Sequence, residues 1–196
     1  MRSYIRFAAA IAAIAGTIST ATANQIYKID PAHSTIGFKV HQYFTTVAGK
    51  FTRFSGTVDV DPDHPEKSSV VAKIDVASID TRIAKRDAHL RSAEFFNVAK
   101  FPEITFKSRS VKRTGENTGD ITGEFTMHGV TKTIVLHAKL LGDPKTAANA
   151  QRTRWQVTTA PLNRREFGLV FSSGAEAMSG IGQEVTVDIV IEAVRE

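Results

Sequence analysis

The sequence predicts an all-β protein, an eight-stranded antiparallel barrel with one short helix. From residue 25 onward apolar residues alternate with polar ones, and this alternation is the period of a β-strand. Short clusters of turn-forming residues separate the alternating segments, which favours antiparallel neighbours over crossover connections. One open sheet of eight long strands would leave two exposed edges, and closing the sheet into a barrel removes both.

Eight long segments and one short segment carry this alternation. In chain order they are Ile26–Asp30 (the short one), Ser34–Tyr43, Lys50–Val60, Ser69–Ser78, Glu103–Lys112, Gly119–Met127, Lys132–Leu141, Thr153–Pro161 and Glu184–Val194. Gly56 is the predicted bend or bulge of the third segment in this series. The connection through His128 and Gly129 is short enough for a tight hairpin.

One segment, Asp80–Phe96, breaks the alternation. Ile83 and Leu90 are seven residues apart with alanines near them, which indicates one face of a helix. Asp80 or Thr81 is the predicted N-cap. The segment therefore predicts a helix of about three turns.

Residues 1–23 have the anatomy of a secretory signal peptide. A cationic start with Arg2 and Arg6 precedes an almost wholly apolar run over residues 7–18, and Ala21-Thr22-Ala23 is a small-x-small cleavage site. The apolar run is shorter than the roughly 20 residues of a membrane span. We therefore expect export to the periplasm, with residues 24–196 as one barrel domain that is soluble after cleavage. A short N-terminal anchor is the alternative.

Composition excludes several classes of protein. The chain is 42% apolar and 23% charged with a formal net charge of +5, which is ordinary for a globular protein. It has no cysteine, so disulfide scaffolds, thiolate nucleophiles and cysteine metal sites are excluded. Basic residues do not form dense blocks interleaved with aromatics, so a nucleic-acid partner is not expected.

The interior of an eight-stranded barrel holds either packed side chains or one small ligand, and the sequence leaves both alternatives open. The alternation predicts which apolar side chains point inward. They are Phe38, Val40, Phe54, Ile74, Val76, Phe106, Phe125, Leu136, Trp155, Val187 and Ile189. Lys107, Arg109 and Arg113 are predicted to share the outer wall of one strand.

Catalytic and metal-binding patterns are weak. Asp30, His33 and Ser34 supply the residue types of a serine triad, but near neighbours in sequence do not build its geometry. The six histidines form no metal-binding motif. We therefore predict no catalytic residue, no metal and no cofactor. The expected role of Asp30 and His33 is to hydrogen-bond the turn that enters the barrel.

Several motifs, in order along the chain, resemble those of the YceI-like family. They are Asp30–Ser34 with Phe38 and His41, Ser78–Thr81, Arg86-Asp87 with His89–Ser92, Phe95-Phe96, Phe101–Phe106, Gly123 with His128–Lys132, Asn163-Arg164 with Phe167-Gly168, and Gly182–Glu192. The resemblance extends over residues 25–196. It implies an exported, lipocalin-like barrel whose lumen binds a polyisoprenoid or similar long-chain amphiphile, such as an isoprenoid quinone or a polyprenyl pyrophosphate.

The resemblance also implies a site and a function. Leu90 and Phe167 join the inward apolar set as ligand-binding residues, and Arg86 and Arg164 are expected to contact a head group. Local pairing on a solvated face is the alternative for both arginines. The implied function is a non-enzymatic carrier or sequestering protein, as a monomer or homodimer. The alternatives are an accessory factor that handles quinone, in a stress response or for a membrane redox partner of cytochrome b561 type, and, more weakly, an enzyme acting on an amphiphile.

Overall fold

The computed structural model describes residues 24–142, 150–171, 174 and 178–196. The predicted signal peptide lies outside these residues. The described strands are β1 (Gln25–Ile29), β2 (Thr35–Gln42), β3 (Thr45–Phe51), β4 (Phe54–Val60), β5 (Ser69–Asp75), β6 (Ile79–Asp80), β7 (Glu103–Arg113), β8 (Thr118–Met127), β9 (Val130–Leu140), β10 (Arg152–Thr158), β11 (Leu162–Asn163) and β12 (Ile181–Arg195), and helix α1 is Ala84–Arg91. Within this part of the chain no helix is both long and apolar enough to cross a bilayer.

The strands form a closed antiparallel barrel, as predicted. Seven strands pair in the order β4, β5, β7, β8, β9, β10 and β12, and β1 closes the ring by pairing with both β4 and β12. Strands β2 and β3 extend this ring, because β2 continues along the same edge of β12 as β1 and β3 pairs with β2. Over the residues that the structure describes, the eight-stranded antiparallel barrel with the short helix α1 is therefore confirmed.

The prediction of one strand over Lys50–Val60 is wrong. The chain breaks at Thr52, whose backbone N and side-chain Oγ1 both donate to the carbonyl of Ser78 at 3.2 Å. The part before the break belongs to β3 and the part after it is β4. Gly56 is not the bend, because it lies in register within β4. A Cβ there would come within 2.7 Å of the carbonyl oxygen of Val71, so glycine permits a close strand approach.

The helix is shorter than predicted. Helix α1 has eight residues and no side-chain N-cap. Asp80 belongs to β6, and Thr81 donates through its backbone N and its Oγ1 to the buried carboxylate of Asp87. The helix ends because the backbone becomes extended at Ser92. Phe95 and Phe96 therefore enter the core and do not extend the helix.

Strands β5 and β7 also differ from the sequence prediction. Strand β5 stops at Asp75, whose side chain accepts a hydrogen bond from the backbone N of Ala77 at 2.8 Å and starts a 3-10 turn. In β7 a bulge between Ser108 and Ser110 adds one residue and exchanges the two faces of the strand. Arg113 consequently faces the lumen, so its predicted place on the outer wall is wrong.

The packed core lies toward the end of the barrel on which α1 lies. Its buried members include Ile36, Phe51, Phe54, Val76, Ile79, Phe95, Phe96, Ile104, Met127, Phe167 and Leu169. The predicted tight hairpin between β8 and β9 is present at this end. His128 and Gly129 both have positive φ, as a type I′ turn requires. The rest of the lumen is open.

Candidate functional site

The open lumen is a cavity of about 1120 Å³. This volume exceeds the roughly 300–1,000 Å³ that is usual for a small-molecule pocket. Its wall consists mainly of inward aliphatic and aromatic side chains from the barrel strands, and core residues such as Phe95 and Ile104 form part of it. Of the two alternatives left open by the sequence, the structure therefore has a cavity and not a filled interior.

Twelve of the fifteen predicted site residues line this cavity. They are Phe38, Val40, Ile74, Arg86, Leu90, Phe106, Phe125, Leu136, Trp155, Arg164, Val187 and Ile189. Phe54, Val76 and Phe167 lie instead in the packed core. Val76 starts the 3-10 turn after β5, and the ring of Phe167 packs edge-on against Phe125 with centroids 5.5 Å apart. These three residues support the wall without forming its surface.

Several wall residues were not predicted as site residues. Ile121 and Ile134 follow the same alternation as Phe125 and Leu136, so the strand pattern held enough information to find them. Phe171 also lines the cavity, but it lies in an irregular segment where no periodic pattern marks it. Its ring stacks on Phe95 with centroids 4.8 Å apart, a contact that only the folded chain creates.

Two arginines border the cavity at the α1 end, and both are held by protein groups. Arg86 donates to Thr81 Oγ1 at 2.7 Å and to the Thr81 carbonyl at 2.9 Å. Arg164 is only 2% exposed and donates to the carbonyls of Gly182, Leu169 and Ile181 at 2.9, 2.7 and 3.2 Å. Both arginines therefore pair with groups of the protein, as the alternative to head-group contact predicts. Both also line the cavity wall.

The cavity reaches exposed residues at both ends of the barrel. Ile83 and Met178 are exposed lining residues at the α1 end. At the opposite end Arg113 and Glu116 line the cavity and are exposed. Arg113 donates to the carbonyls of Gly115 and Glu116 at 2.8 and 2.9 Å, so its guanidinium braces the β7–β8 turn.

Asp30 and His33 form a charged cluster with Glu192 and Arg152 at the turn between β1 and β2. His33 Nδ1 lies 2.8 Å from Asp30 Oδ2. Arg152 Nη1 lies 3.1 Å from Asp30 Oδ2 and 2.7 Å from Glu192 Oε1. Side-chain atoms of Asp30, His33 and Glu192 are close enough to hold a metal ion, but both carboxylates already pair with the guanidinium of Arg152.

This cluster has no triad geometry. Ser34 Oγ donates to the carbonyl of Glu192 and accepts from its backbone N at 2.9 Å, so the hydroxyl ties β2 to β12. Hydrogen bonds from His33 and then from Arg152 hold the pKa of the Asp30 carboxyl below its ordinary value. The carboxylates of Glu192 and Asp30 raise the pKa of Arg152. Asp30, His33, Arg152 and Glu192 therefore form an ion-paired cluster at the barrel entry, and we call this cluster the clasp.

Asp30→Asn is expected to change how the protein responds to acid. Because the folded pKa of Asp30 lies below its unfolded value of about 3.9, the stabilisation is present above that value and is lost as pH falls through the folded pKa. The variant should therefore melt at a lower temperature near neutral pH, and its melting temperature should fall less steeply below about pH 4. Thermal unfolding across pH measures this. Asp188→Asn, on the exposed side of β12, is the control, and identical acid profiles for Asp30→Asn and wild type would contradict the role of the clasp.

Comparisons with known proteins agree with this fold. A family model described as the YceI-like domain matches residues 27–193. The chain is 36% identical over 189 residues to Protein YceI of Salmonella newport, with 95% of each chain covered. The crystal structure of Burkholderia cenocepacia BcnA is similar with a TM-score of 0.74 at 23% identity, covering 85% of this chain and 99% of that one.

A second solved structure is described as a polyisoprenoid binding domain from Saccharophagus degradans implicated in plant cell wall breakdown. It is similar with a TM-score of 0.65 at 19% identity, covering 87% of this chain and 98% of that one. At this level of identity the two structures share the barrel fold with this chain.

Proposed function

The chain belongs to the YceI-like domain family, and we propose that it binds a polyisoprenoid or a similar long-chain amphiphile inside its barrel. The observation that carries this proposal is the cavity of about 1120 Å³ with its mainly apolar wall. A wall of this kind excludes a polar metabolite, which would lose its hydrogen bonds to water on entry. The description of the Saccharophagus degradans neighbour as a polyisoprenoid binding domain supports the same ligand class.

Burial of the chain supplies the binding energy in this proposal. Each buried methylene contributes about 0.8 kcal/mol. Association costs about 4–15 kcal/mol in lost translational and rotational freedom, so a handful of isoprene units offsets that cost. Affinity should therefore depend on chain length more than on the head group. At the α1 end, Arg86 and Arg164 are two of the cations on the wall that a quinone carbonyl or a pyrophosphate would meet.

The proposed role is that of a carrier or sequestering protein without a chemical step. Asp30, His33 and Ser34 are tied into the clasp at the barrel entry, and the hydroxyl of Ser34 is not hydrogen-bonded to His33. The signal-peptide pattern of residues 1–23 supports export to the periplasm as part of the proposal. The alternative role is an accessory factor that handles quinone for a membrane redox partner of cytochrome b561 type. A quinone head group on the bound lipid would favour this role over that of a general lipid carrier.

Mass spectrometry of the organic extract tests the ligand class directly. The protein is purified without detergent, and native mass spectrometry of the intact complex is recorded in parallel. A stoichiometric isoprenoid supports the proposal, and its head group distinguishes a quinone from a pyrophosphate. A bare protein that also fails to take up an added polyprenyl alcohol contradicts it.

Trp155 provides a second test, because it is the only tryptophan of the chain and it lines the cavity. Titration with a long polyprenyl alcohol should change the Trp155 emission and saturate at one ligand per chain. An isoprenoid quinone of similar length should instead quench the emission. A short isoprenoid alcohol is the control and should bind more weakly, since it buries fewer methylenes. Emission that does not respond to any of these compounds would contradict binding in the barrel.

A further inference from the structure

The tip of the β2–β3 hairpin presents an aromatic pair to solvent. Phe44 is fully exposed and Tyr43 is 66% exposed. The tip is held in place, because the backbone N of Tyr43 donates to the Gly180 carbonyl at 2.9 Å and its hydroxyl donates to the Met178 carbonyl. Tyr43 has a positive φ of 50°, a conformation that few non-glycine residues adopt. A phenylalanine side chain is thus projected outward from an anchored turn.

This tip belongs to the α1-end opening of the cavity. Gln42 and Val47, on either side of the hairpin turn, both line the cavity. Met178, whose carbonyl accepts from Tyr43, is 76% exposed and also lines the cavity. Ile83 is a further exposed apolar residue on the cavity wall at this end. Exposed apolar side chains therefore continue from the tip into the lumen.

The hairpin that carries the tip is cationic. Residues 34–58 contain no aspartate or glutamate. Lys39, His41 and Lys50 are exposed along β2 and β3. The nearest acidic groups lie on the neighbouring strands, with Asp80 of β6 opposite Lys50 and with Glu184 and Asp188 on β12. Apolar aromatic residues next to lysines match the interface of a bilayer with anionic head groups, where aromatic rings lie at head-group depth and lysines meet lipid phosphates.

We propose that the Tyr43-Phe44 tip docks the α1-end opening onto the surface of a bilayer that contains anionic phospholipid. A long apolar ligand then passes between the membrane and the cavity without crossing bulk water. This inference rests on the proposed function and adds the surface with which the ligand is exchanged. A second copy of the chain suits the Tyr43-Phe44 tip less well than a bilayer does. Two projecting residues bury far less than the roughly 1,200 Å² of a stable protein interface.

Vesicle flotation of Phe44→Ser tests the docking. The vesicles are made of phosphatidylethanolamine and phosphatidylglycerol, with phosphatidylcholine vesicles for comparison. All proteins are purified identically from one secretion system, so their N-terminal processing is the same. Phe44→Ser should bind the anionic vesicles roughly tenfold more weakly than wild type, because the anchoring ring is lost. Phe44→Trp should keep the binding, and added salt should weaken it for wild type.

Val135→Ser is the matched control. Val135 is an exposed valine on the outer face of β9, so this variant removes surface apolar area away from the tip. It should bind the anionic vesicles like wild type. In vesicle-free solution, Val135→Ser and Phe44→Ser should both give the wild-type Trp155 titration with a polyprenyl alcohol, since neither residue lines the cavity.

Three results would overturn the docking proposal. They are vesicle binding by Phe44→Ser equal to that of wild type, failure of wild type to bind anionic vesicles, and a change from dimer to monomer in sedimentation as the sole effect of the substitution. Failure of the proposed function is recognised separately. In that case the Trp155 emission of wild type does not respond to the polyprenyl alcohol, whatever the flotation shows.

Discussion

Leu136→Asp is expected to lower the affinity for a long-chain ligand by about 100-fold or more. Leu136 points from β9 into the mainly apolar cavity, and its cross-strand neighbour there is Ile121. An aspartate there stays hydrated while the cavity holds water, but an entering apolar chain must remove that water. The effective cost of desolvating one unpaired ion is several kcal/mol, and about 1.4 kcal/mol corresponds to a factor of ten in affinity.

Val135→Asp is the matched control for this experiment. Val135 is the next residue on the same strand and is exposed on the outer face, so the same carboxylate is introduced within one residue of the site. Trp155 titration and mass spectrometry of the bound lipid should show wild-type binding for Val135→Asp and loss of binding for Leu136→Asp. Equal lipid retention by the two variants would exclude the lumen as the binding site.

Arg164→Met is expected to lower the free energy of unfolding by about 3 kcal/mol or more. The buried guanidinium donates to three carbonyls and so connects the turn after β11 to Leu169 and to the start of β12. Methionine fills similar space but removes these three donors, and each buried carbonyl left unsatisfied costs about 1–3 kcal/mol. Urea unfolding, followed both by Trp155 emission and by far-UV circular dichroism, measures the loss.

Two further variants separate the structural role of Arg164 from a head-group role. Arg164→Lys keeps the positive charge but cannot donate to three carbonyls in a planar fork, so most of the destabilisation should remain. Arg165→Met, at the exposed neighbouring position, should unfold like wild type. If Arg164→Met weakened lipid binding without changing the unfolding midpoint, the arginine would act on the ligand and not on the fold.

Alternation predicted the barrel wherever a strand keeps one face inward along its length. Strands β8 and β9 are of this kind, and the pattern alone predicts the inward direction that the structure gives Phe125 and Leu136. The errors occur where the inward face changes within one apolar segment. Phe51 and Phe54 are three residues apart and both buried, so the face reverses between β3 and β4. The hydrogen bonds from Thr52 to Ser78 that fix this reversal join residues 26 positions apart in the chain.

The sequence does not predict the cavity, for a different reason. Whether a barrel of this size is filled depends on the total volume of all inward side chains, because a small residue opposite a large one offsets its volume. Ala72, Gly119 and Ala138 all line the lumen and leave space there. No local pattern distinguishes them from small residues on the outer wall. The place of the α1-end wall residues likewise depends on tertiary contacts, such as the stacking of Phe171 on Phe95.

The position of β12 in the ring has a consequence for the order of folding. This fifteen-residue strand pairs with β1 and β2 along one edge and with β10 and β11 along the other. Ribosomes make it after every one of its partners, so the ring cannot close during most of synthesis. Contacts between distant parts of a chain also form slowly, because the entropy of closing a long loop must be overcome first. A nascent chain therefore stays open until its last strand is available.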